Sequence, residues 1–128
     1  MPLALLAGCA SSAPLGEQIE QGVAAAGDSF SLAEVASVEG TSFLVLCPYD
    51  SEESVNERLG FVWSGSPDLS RDDSRQTIAV VDDGAVVQSA ELSRGSVDLC
   101  AGEPWELQPV TAVLPVTVED GVAVVSAP

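Results

Sequence analysis

The sequence predicts an α+β domain with a largely antiparallel sheet of short strands and one or two short helices. Three observations predict it: a continuous apolar run at 41–47, two Asp-Gly pairs between valine-rich segments, and helical spacing of apolar residues in two other segments. Helices and strands that do not alternate regularly along the chain are typical of this class. With 128 residues, the chain is long enough for one hydrophobic core.

The first predicted helix covers residues 15–26. Leu15, Ile19 and Val23 recur at four-residue spacing, which places them on one face of a helix. Two glycines inside the segment lower its helix propensity. Gly27 is expected to end it.

The second predicted helix has Asp50 as its N-cap, and Glu53 stands where a capping box places a glutamate. Val55 and Leu59 are expected to form its buried face. Gly60 follows the last apolar residue and is expected to stop the helix.

Residues 41–47 predict a central strand covered on both faces, because the run is continuously apolar and rich in strand-forming residues. Asp83-Gly84 and Asp120-Gly121 each separate two apolar runs and predict hairpins with type I′ turns. Weaker strand signals lie at residues 30–32, 97–100 and 110–114.

The register of the first hairpin follows from its turn. Val81 is expected opposite Val86, and Val80 opposite Val87. Adjacent residues of a strand point to opposite faces. The two apolar pairs therefore predict a hairpin that is covered on both sides.

The charge of the chain is strongly one-sided: 20 acidic residues stand against four arginines, with neither lysine nor histidine, and the net charge is -16. Nucleic acid is excluded as a partner, because phosphate backbones need cationic side chains to neutralise them. Anionic headgroups should also repel the folded domain. Contact with a membrane is therefore expected only through a covalent lipid.

The composition also excludes most catalytic chemistry. Without histidine or lysine there is no Ser-His or Cys-His nucleophile and no Schiff base, and zinc sites built on histidine or on four cysteines are impossible. We therefore predict a protein that is not an enzyme and that has no cofactor or metal. The remaining alternative is carboxylate chemistry, in a hydrolase of cell-wall polymers.

Three aspartates, Asp68, Asp72 and Asp73, lie close together in the long connection after the second helix. Carboxylates of one loop can bind Ca²⁺, but the spacing fits no EF-hand. Arg71 and Arg75 are interleaved with the aspartates. Local salt pairing is therefore the expected arrangement, and a calcium site is the alternative.

Four residues near the N-terminus, Leu6-Ala7-Gly8-Cys9, match a lipobox at every position, and a small, polar segment follows at 10–14. This part of the chain resembles the N-terminus of bacterial lipoproteins. The resemblance implies that the Cys9 thiol receives a diacylglycerol and anchors the protein on the extracytoplasmic face of the cell membrane. The chain would then consist of a truncated signal peptide (1–8), a lipidated tether with a possible short helix (9–28) and a single α+β domain (29–128).

Cys47 and Cys100 remain as a pair when Cys9 carries lipid. Disulfides persist outside the cytoplasm, so these two residues are predicted to form one. Closing so long a loop is worth about 4 kcal/mol in the chain-entropy view. The alternative is two buried free thiols, since free cysteine packs as a small apolar residue.

The segment from Phe43 through Pro48-Tyr49 to Leu59-Gly60 resembles a set of small exported bacterial proteins of unknown function. In those proteins a strand ending in Pro-Tyr precedes a short helix ending in Leu-Gly, and a hairpin follows. The resemblance implies a fold and no activity.

Trp63 and Trp105 are the largest side chains and lie in connections. They are expected to cover the core of a small domain, and the alternative is contact with a partner. We expect a non-catalytic, lipid-anchored envelope protein that binds an unidentified envelope protein or cell-wall component; a surface that only buffers cations is a third alternative. Repulsion among the carboxylates predicts a domain more stable at about pH 5 than at about pH 8.

Overall fold

Two four-stranded sheets and three helices make up the computed structural model, which describes residues 13–69, 73–102 and 104–128. The helices are α1 (Leu15–Ala26), α2 (Leu32–Val35) and α3 (Glu52–Leu59), and the strands are β1 (Ser29–Phe30), β2 (Ser42–Leu46), β3 (Arg75–Asp82), β4 (Ala85–Ser93), β5 (Val97–Asp98), β6 (Gln108–Pro109), β7 (Leu114–Glu119) and β8 (Val122–Val125). The predicted α+β class, with short and largely antiparallel strands, is confirmed.

The strand order is β4-β3-β2-β6 in the first sheet, called sheet I, and β1-β7-β8-β5 in the second, called sheet II. Neighbouring strands are antiparallel except for the parallel pair of β5 and β8. Both sheets contribute to one hydrophobic cluster, which includes Phe43 and Ile78 of sheet I, Leu114 and Val125 of sheet II, and Ile19 of α1. The interior strands β2 and β3 are buried along nearly their whole length, as the apolar run at 41–47 predicted for β2.

Both Asp-Gly turns have the predicted backbone. The φ angle is 50° at Asp83 and 76° at Gly84, and it is 53° at Asp120 and 80° at Gly121. A type I′ turn requires positive φ at both central residues. The β3–β4 and β7–β8 hairpins are therefore confirmed.

The register of the β3–β4 hairpin agrees with one of the two predicted residue pairs and differs from the other. Val81 lies opposite Val86, but Val80 lies opposite Gln88, so the predicted pairing with Val87 is wrong. The register shifts between Val80 and Val81, as in a β-bulge, where an extra residue of one strand has no partner. Coverage on both sides is correct for β3 and wrong for β4, an edge strand on which exposed residues alternate with half-buried ones.

Helix α1 has the predicted bounds, and the side chains of Ile19 and Val23 are buried. The strand predicted at 30–32 is largely wrong, because only Phe30 of that segment belongs to a strand and Leu32 already begins α2. Helix α2 is a single turn, which the Ala36 amide closes by donating to the Leu32 carbonyl.

Helix α3 has a different N-cap from the one predicted. The Ser51 hydroxyl accepts the Ser54 amide at 3.1 Å, so Ser51 is the N-cap. Asp50 does not cap the helix, because its Oδ2 accepts the Cys47 amide at 2.8 Å. The capping box predicted with Glu53 is therefore wrong.

The rest of α3 agrees with the prediction. Val55 and Leu59 are buried. Gly60 ends the helix in the left-handed conformation, with φ at 86°, and its amide donates to the Asn56 carbonyl. No helix within the described ranges is long and apolar enough to cross a membrane.

The strand predicted at 110–114 is wrong. Most of this segment is a turn, in which the Ala112 amide donates to the Pro109 carbonyl. Strand β7 begins only at Leu114. The signal at 97–100 gives the two-residue strand β5, which is shorter than predicted.

Candidate functional site

A disulfide joins the segment after a strand of sheet I to the segment after a strand of sheet II. Cys47 follows β2 and Cys100 follows β5, and their Cα atoms lie 5.6 Å apart in the Cys47–Cys100 bridge. The predicted pairing is therefore present, and the alternative of two free thiols is wrong. We call this region, with Asp50, Arg58 and Trp105, the β2 corner.

An ion pair reinforces the β2 corner. Arg58 Nη2 lies 3.0 Å from Asp50 Oδ2, and only 9% and 19% of the two side chains are exposed. The contact is electrostatic, because no acceptor within the described ranges is aligned with the Nη2 hydrogens. Arg58 Nη1 donates to the main-chain carbonyl of Trp105 at 2.9 Å. One guanidinium group therefore contacts both chain segments that follow the two half-cystines.

The Trp105 side chain is fully buried. Its indole Nε1 donates to the Leu99 carbonyl at 2.6 Å, and its ring lies 5.9 Å from that of Phe43. Trp105 therefore belongs to the core, and its indole is not on a contact surface.

Trp63 is half-buried and packs against the core from the connection after α3. Its amide donates to Asn56 Oδ1 at 2.9 Å, so this connection runs back along the helix. A side chain at Gly65 would meet the indole Nε1 at 2.9 Å. Trp63 therefore packs over the core, as predicted, while part of the residue stays exposed.

A cleft of about 310 Å³ lies where this connection passes the start of α3. Its lining residues are Asp50, Ser51, Glu52, Ser66, Pro67, Asp68 and Leu69. Three carboxylates thus line one concavity, although Asp50 is already held by Arg58 and by the Cys47 amide. Nothing in the sequence predicts the cleft, because its two walls come from separate segments.

Tyr49 stands beside the cleft in an unusual conformation. Its φ is 70°, a left-handed value that costs a residue with a side chain about 1–2 kcal/mol. The Tyr49 amide donates to the Leu69 carbonyl at 2.8 Å, and 66% of the residue's surface is exposed. The sequence predicted no role for Tyr49, since tyrosine gives no signal for this backbone.

A second polar cluster lies at the amino end of β3 and the carboxyl end of β4, and we call it the arginine corner. Arg75 pairs with Glu91 on the neighbouring strand, where both side chains are largely exposed. Arg94 pairs with Asp98 at 3.0 Å and donates to the Asp73 carbonyl at 3.0 Å. The hydrogen bond with Asp98 raises the pKa of Arg94 above its usual value.

The structure describes only part of the loop for which local salt pairing, or alternatively a calcium site, was predicted. Arg75 forms its ion pair with Glu91 and not with an aspartate of the loop, while Arg71 and Asp72 lie outside the described residues. Among the residues that the structure describes, no three potential metal ligands lie so that they could hold one ion. Cys9, the predicted lipidation site, also lies outside them.

Comparisons with known proteins give no family. No protein-family model matches the chain, and neither a curated protein nor a solved structure matches it.

Proposed function

We propose that this chain is a non-catalytic envelope protein, anchored through a lipid on Cys9, whose acidic domain binds another component of the envelope. The pairing of the cysteines carries the proposal. Of three cysteines, Cys47 and Cys100 are joined to each other, which leaves Cys9 in the lipobox-like segment without a partner in the chain. Disulfides persist outside the cytoplasm, where lipoproteins of this kind reside.

The net charge defines the chemistry of the proposed partner. Each arginine in an ion pair of the described ranges neutralises one carboxylate, against 20 acidic residues in all. A partner surface with cationic groups would be attracted from a distance, and salt would weaken that attraction. An envelope protein or a cell-wall component with exposed amines fits this requirement.

Lipid attachment is tested by labelling. The gene, expressed in a bacterium behind its own upstream region, should incorporate labelled palmitate and partition into the detergent phase. Cys9→Ser should abolish both. The matched control is the Cys47→Ser/Cys100→Ser double variant, which should still take up the label. If wild type and Cys9→Ser fractionate identically, the anchoring proposal is wrong.

The cleft favours a second candidate, a carboxylate-based hydrolase of cell-wall polymers. Glycosidases need two carboxylates on opposite sides of the bond that they cleave, and Glu52 and Asp68 both line the cleft. Glu52→Gln should abolish lysis of purified peptidoglycan if this candidate is correct. Glu53→Gln, on the next residue but outside the cleft, is the matched control. If the wild type does not lyse peptidoglycan, the hydrolase candidate is wrong and the binding function remains the proposal.

A further inference from the structure

The main chain of Cys47 is fixed by contacts that do not involve its sulfur. The Cys47 amide donates to Asp50 Oδ2 at 2.8 Å, and Arg58 Nη2 lies 3.0 Å from the same carboxylate oxygen. Arg58 also donates to the Trp105 carbonyl at 2.9 Å, in the segment that follows the other half of the bridge. One side chain therefore connects the two flanks of the disulfide independently of the S–S bond.

The segment that ends at Cys100 is also fixed without its sulfur. The Cys100 amide donates to Asp98 Oδ1 at 2.9 Å. The fully buried side chain of Gln76 accepts the Leu99 amide at 2.9 Å and donates to the Val97 carbonyl. Gln76 lies on β3, the neighbour of β2. The chain before Cys100 is therefore held to the strand next to the one that leads to Cys47.

The bridge lies at the margin of the core. Cys47 and Cys100 are both half-buried and pack against the hydrophobic cluster from outside. A dithiol opens such a bridge in two steps: one thiolate attacks a cysteine sulfur to form a mixed disulfide, and the second thiolate displaces the protein thiolate. The dithiol loses two electrons and becomes a cyclic disulfide, while the two cysteines take up two protons and become thiols.

We propose that the Cys47–Cys100 bridge is a reversible redox switch, which a dithiol opens while the domain stays folded and which Arg58 holds ready to close. A flexible loop gives two linked groups an effective concentration on the order of millimolar, and groups held in place by a folded structure exceed that by orders of magnitude. Arg58 acts as a positioning residue, because it contacts both flanks and neither sulfur. The inference is independent of the anchoring and binding proposed above.

Opening the bridge would change how one wall of the cleft is held. Pro48 and Tyr49 lead from Cys47 to Asp50, the first residue of that wall. With the bridge closed, this wall is covalently attached to the Cys100 segment. With the bridge open, the Arg58 contacts remain as its attachment to that side of the domain.

Equilibration with reduced and oxidised glutathione measures the proposed property. The full chain with Cys9→Ser contains only the two thiols of the bridge, and the equilibrium constant for closing the bridge gives their effective concentration. Circular dichroism should show that the reduced protein is folded. The effective concentration should be about a hundredfold higher than in concentrated urea, where only the unfolded chain links the thiols. A reduced protein that unfolds, or equal values with and without urea, would overturn the switch.

Variants in the same Cys9→Ser chain test the role of Arg58. Arg58→Met should lower the effective concentration about tenfold, the size of effect that coupled neighbours show. Asp50→Asn keeps an acceptor for the Cys47 amide and removes the charge that Arg58 pairs with, so it should cause a smaller decrease. It provides the test if reduced Arg58→Met does not fold. The control, Arg75→Met, should stay within about twofold of the parent, since its ion pair is largely exposed. An unchanged value for Asp50→Asn, or an equal decrease for Arg75→Met, would overturn the role of Arg58.

Discussion

Arg58 donates a 2.9 Å hydrogen bond from Nη1 to the main-chain carbonyl of Trp105, and this bond ties α3 to the segment that follows Cys100. The same guanidinium pairs with Asp50, which accepts the amide of Cys47. The two flanks of the disulfide are therefore also joined by non-covalent contacts. The shape of the β2 corner depends on both connections.

Removing the Arg58 charge should destabilise the domain substantially. Arg58→Met keeps much of the side-chain volume but leaves Asp50 and the Trp105 carbonyl without their partner. We expect a loss of about 2–4 kcal/mol in the free energy of unfolding, because a partly buried charge and a carbonyl lose their compensation. Urea unfolding followed by tryptophan fluorescence measures it.

Arg75→Met is the matched control for this prediction. It removes an ion pair with Glu91 in which 42% and 52% of the two side chains are exposed. Solvent screens such a pair, so the expected loss is less than about 1 kcal/mol. Equal losses for the two variants would contradict the structural role given to Arg58.

The disulfide should contribute about as much as the whole Arg58 network. Cys47→Ala/Cys100→Ala removes the bridge, and the expected loss is about 4 kcal/mol, since its closure restricts the unfolded chain over a separation of 53 residues. Reductant should lower the melting temperature of the wild type and leave that of the double variant unchanged. Cys9→Ala serves as control and should respond to reductant as the wild type does. A double variant as stable as the oxidised wild type would show that the bridge is dispensable.

Gly22→Ala should destabilise the domain, against the usual trend for helices. Alanine is favoured over glycine in a helix by about 1 kcal/mol. At Gly22, however, a Cβ atom would lie 2.3 Å from Val35 Cβ. The overlap should cost about 1–3 kcal/mol, because α1 and α2 would have to move apart.

The control for Gly22→Ala is Gln21→Ala, one residue earlier on the exposed side of α1. Its stability should stay within about 0.5 kcal/mol of the wild type. Thermal melts of both variants decide the matter. If Gly22→Ala melts higher than the wild type, α1 and α2 do not approach as closely as described.

Gly22 also shows what the sequence can predict about this fold. Local chemistry was sufficient for the bounds of α1 and for the two Asp-Gly turns, since apolar spacing and turn residues act over a few positions. The two glycines of α1 were interpreted as a loss of helix propensity. The contact between Gly22 and Val35 depends on tertiary packing, and nothing within the helix sequence indicates it.

The candidate site was less predictable than the fold. Cys47 and Cys100 could be paired by counting cysteines, but Asp50 was assigned to a cap that Ser51 provides. Asp50 and Ser51 are both suited to an N-cap. Only the hydrogen bond from the Cys47 amide to Asp50 shows which of the two caps α3. The exposed Tyr49 and the cleft beside it depend on a contact with Leu69, about twenty residues later in the chain.

The net charge makes the stability of the domain depend on pH. Whether stability rises or falls with pH depends on the balance between attraction in the ion pairs and repulsion among the carboxylates. Asp50, Glu91 and Asp98 pair with arginines within the described ranges, so attraction to a cation offsets part of the repulsion that these three charges feel. The raised pKa of Arg94 means that its contribution is lost only in strongly alkaline solution. It therefore does not change between about pH 5 and about pH 8.

The other carboxylates decide whether stability rises or falls with pH, since the chain carries 20 acidic residues and a net charge of -16. Repulsion among them destabilises the compact state, and it weakens as the net negative charge decreases, so stability should increase as pH falls. We expect a higher melting temperature at about pH 5 than at about pH 8 in low salt, and NaCl should narrow the difference by screening. Asp82→Asn/Asp83→Asn should raise the melting temperature in low salt and raise it less in high NaCl, because it removes two negative charges whose repulsion salt screens. A wild type that melts higher at the alkaline end in low salt would show that pairing outweighs repulsion.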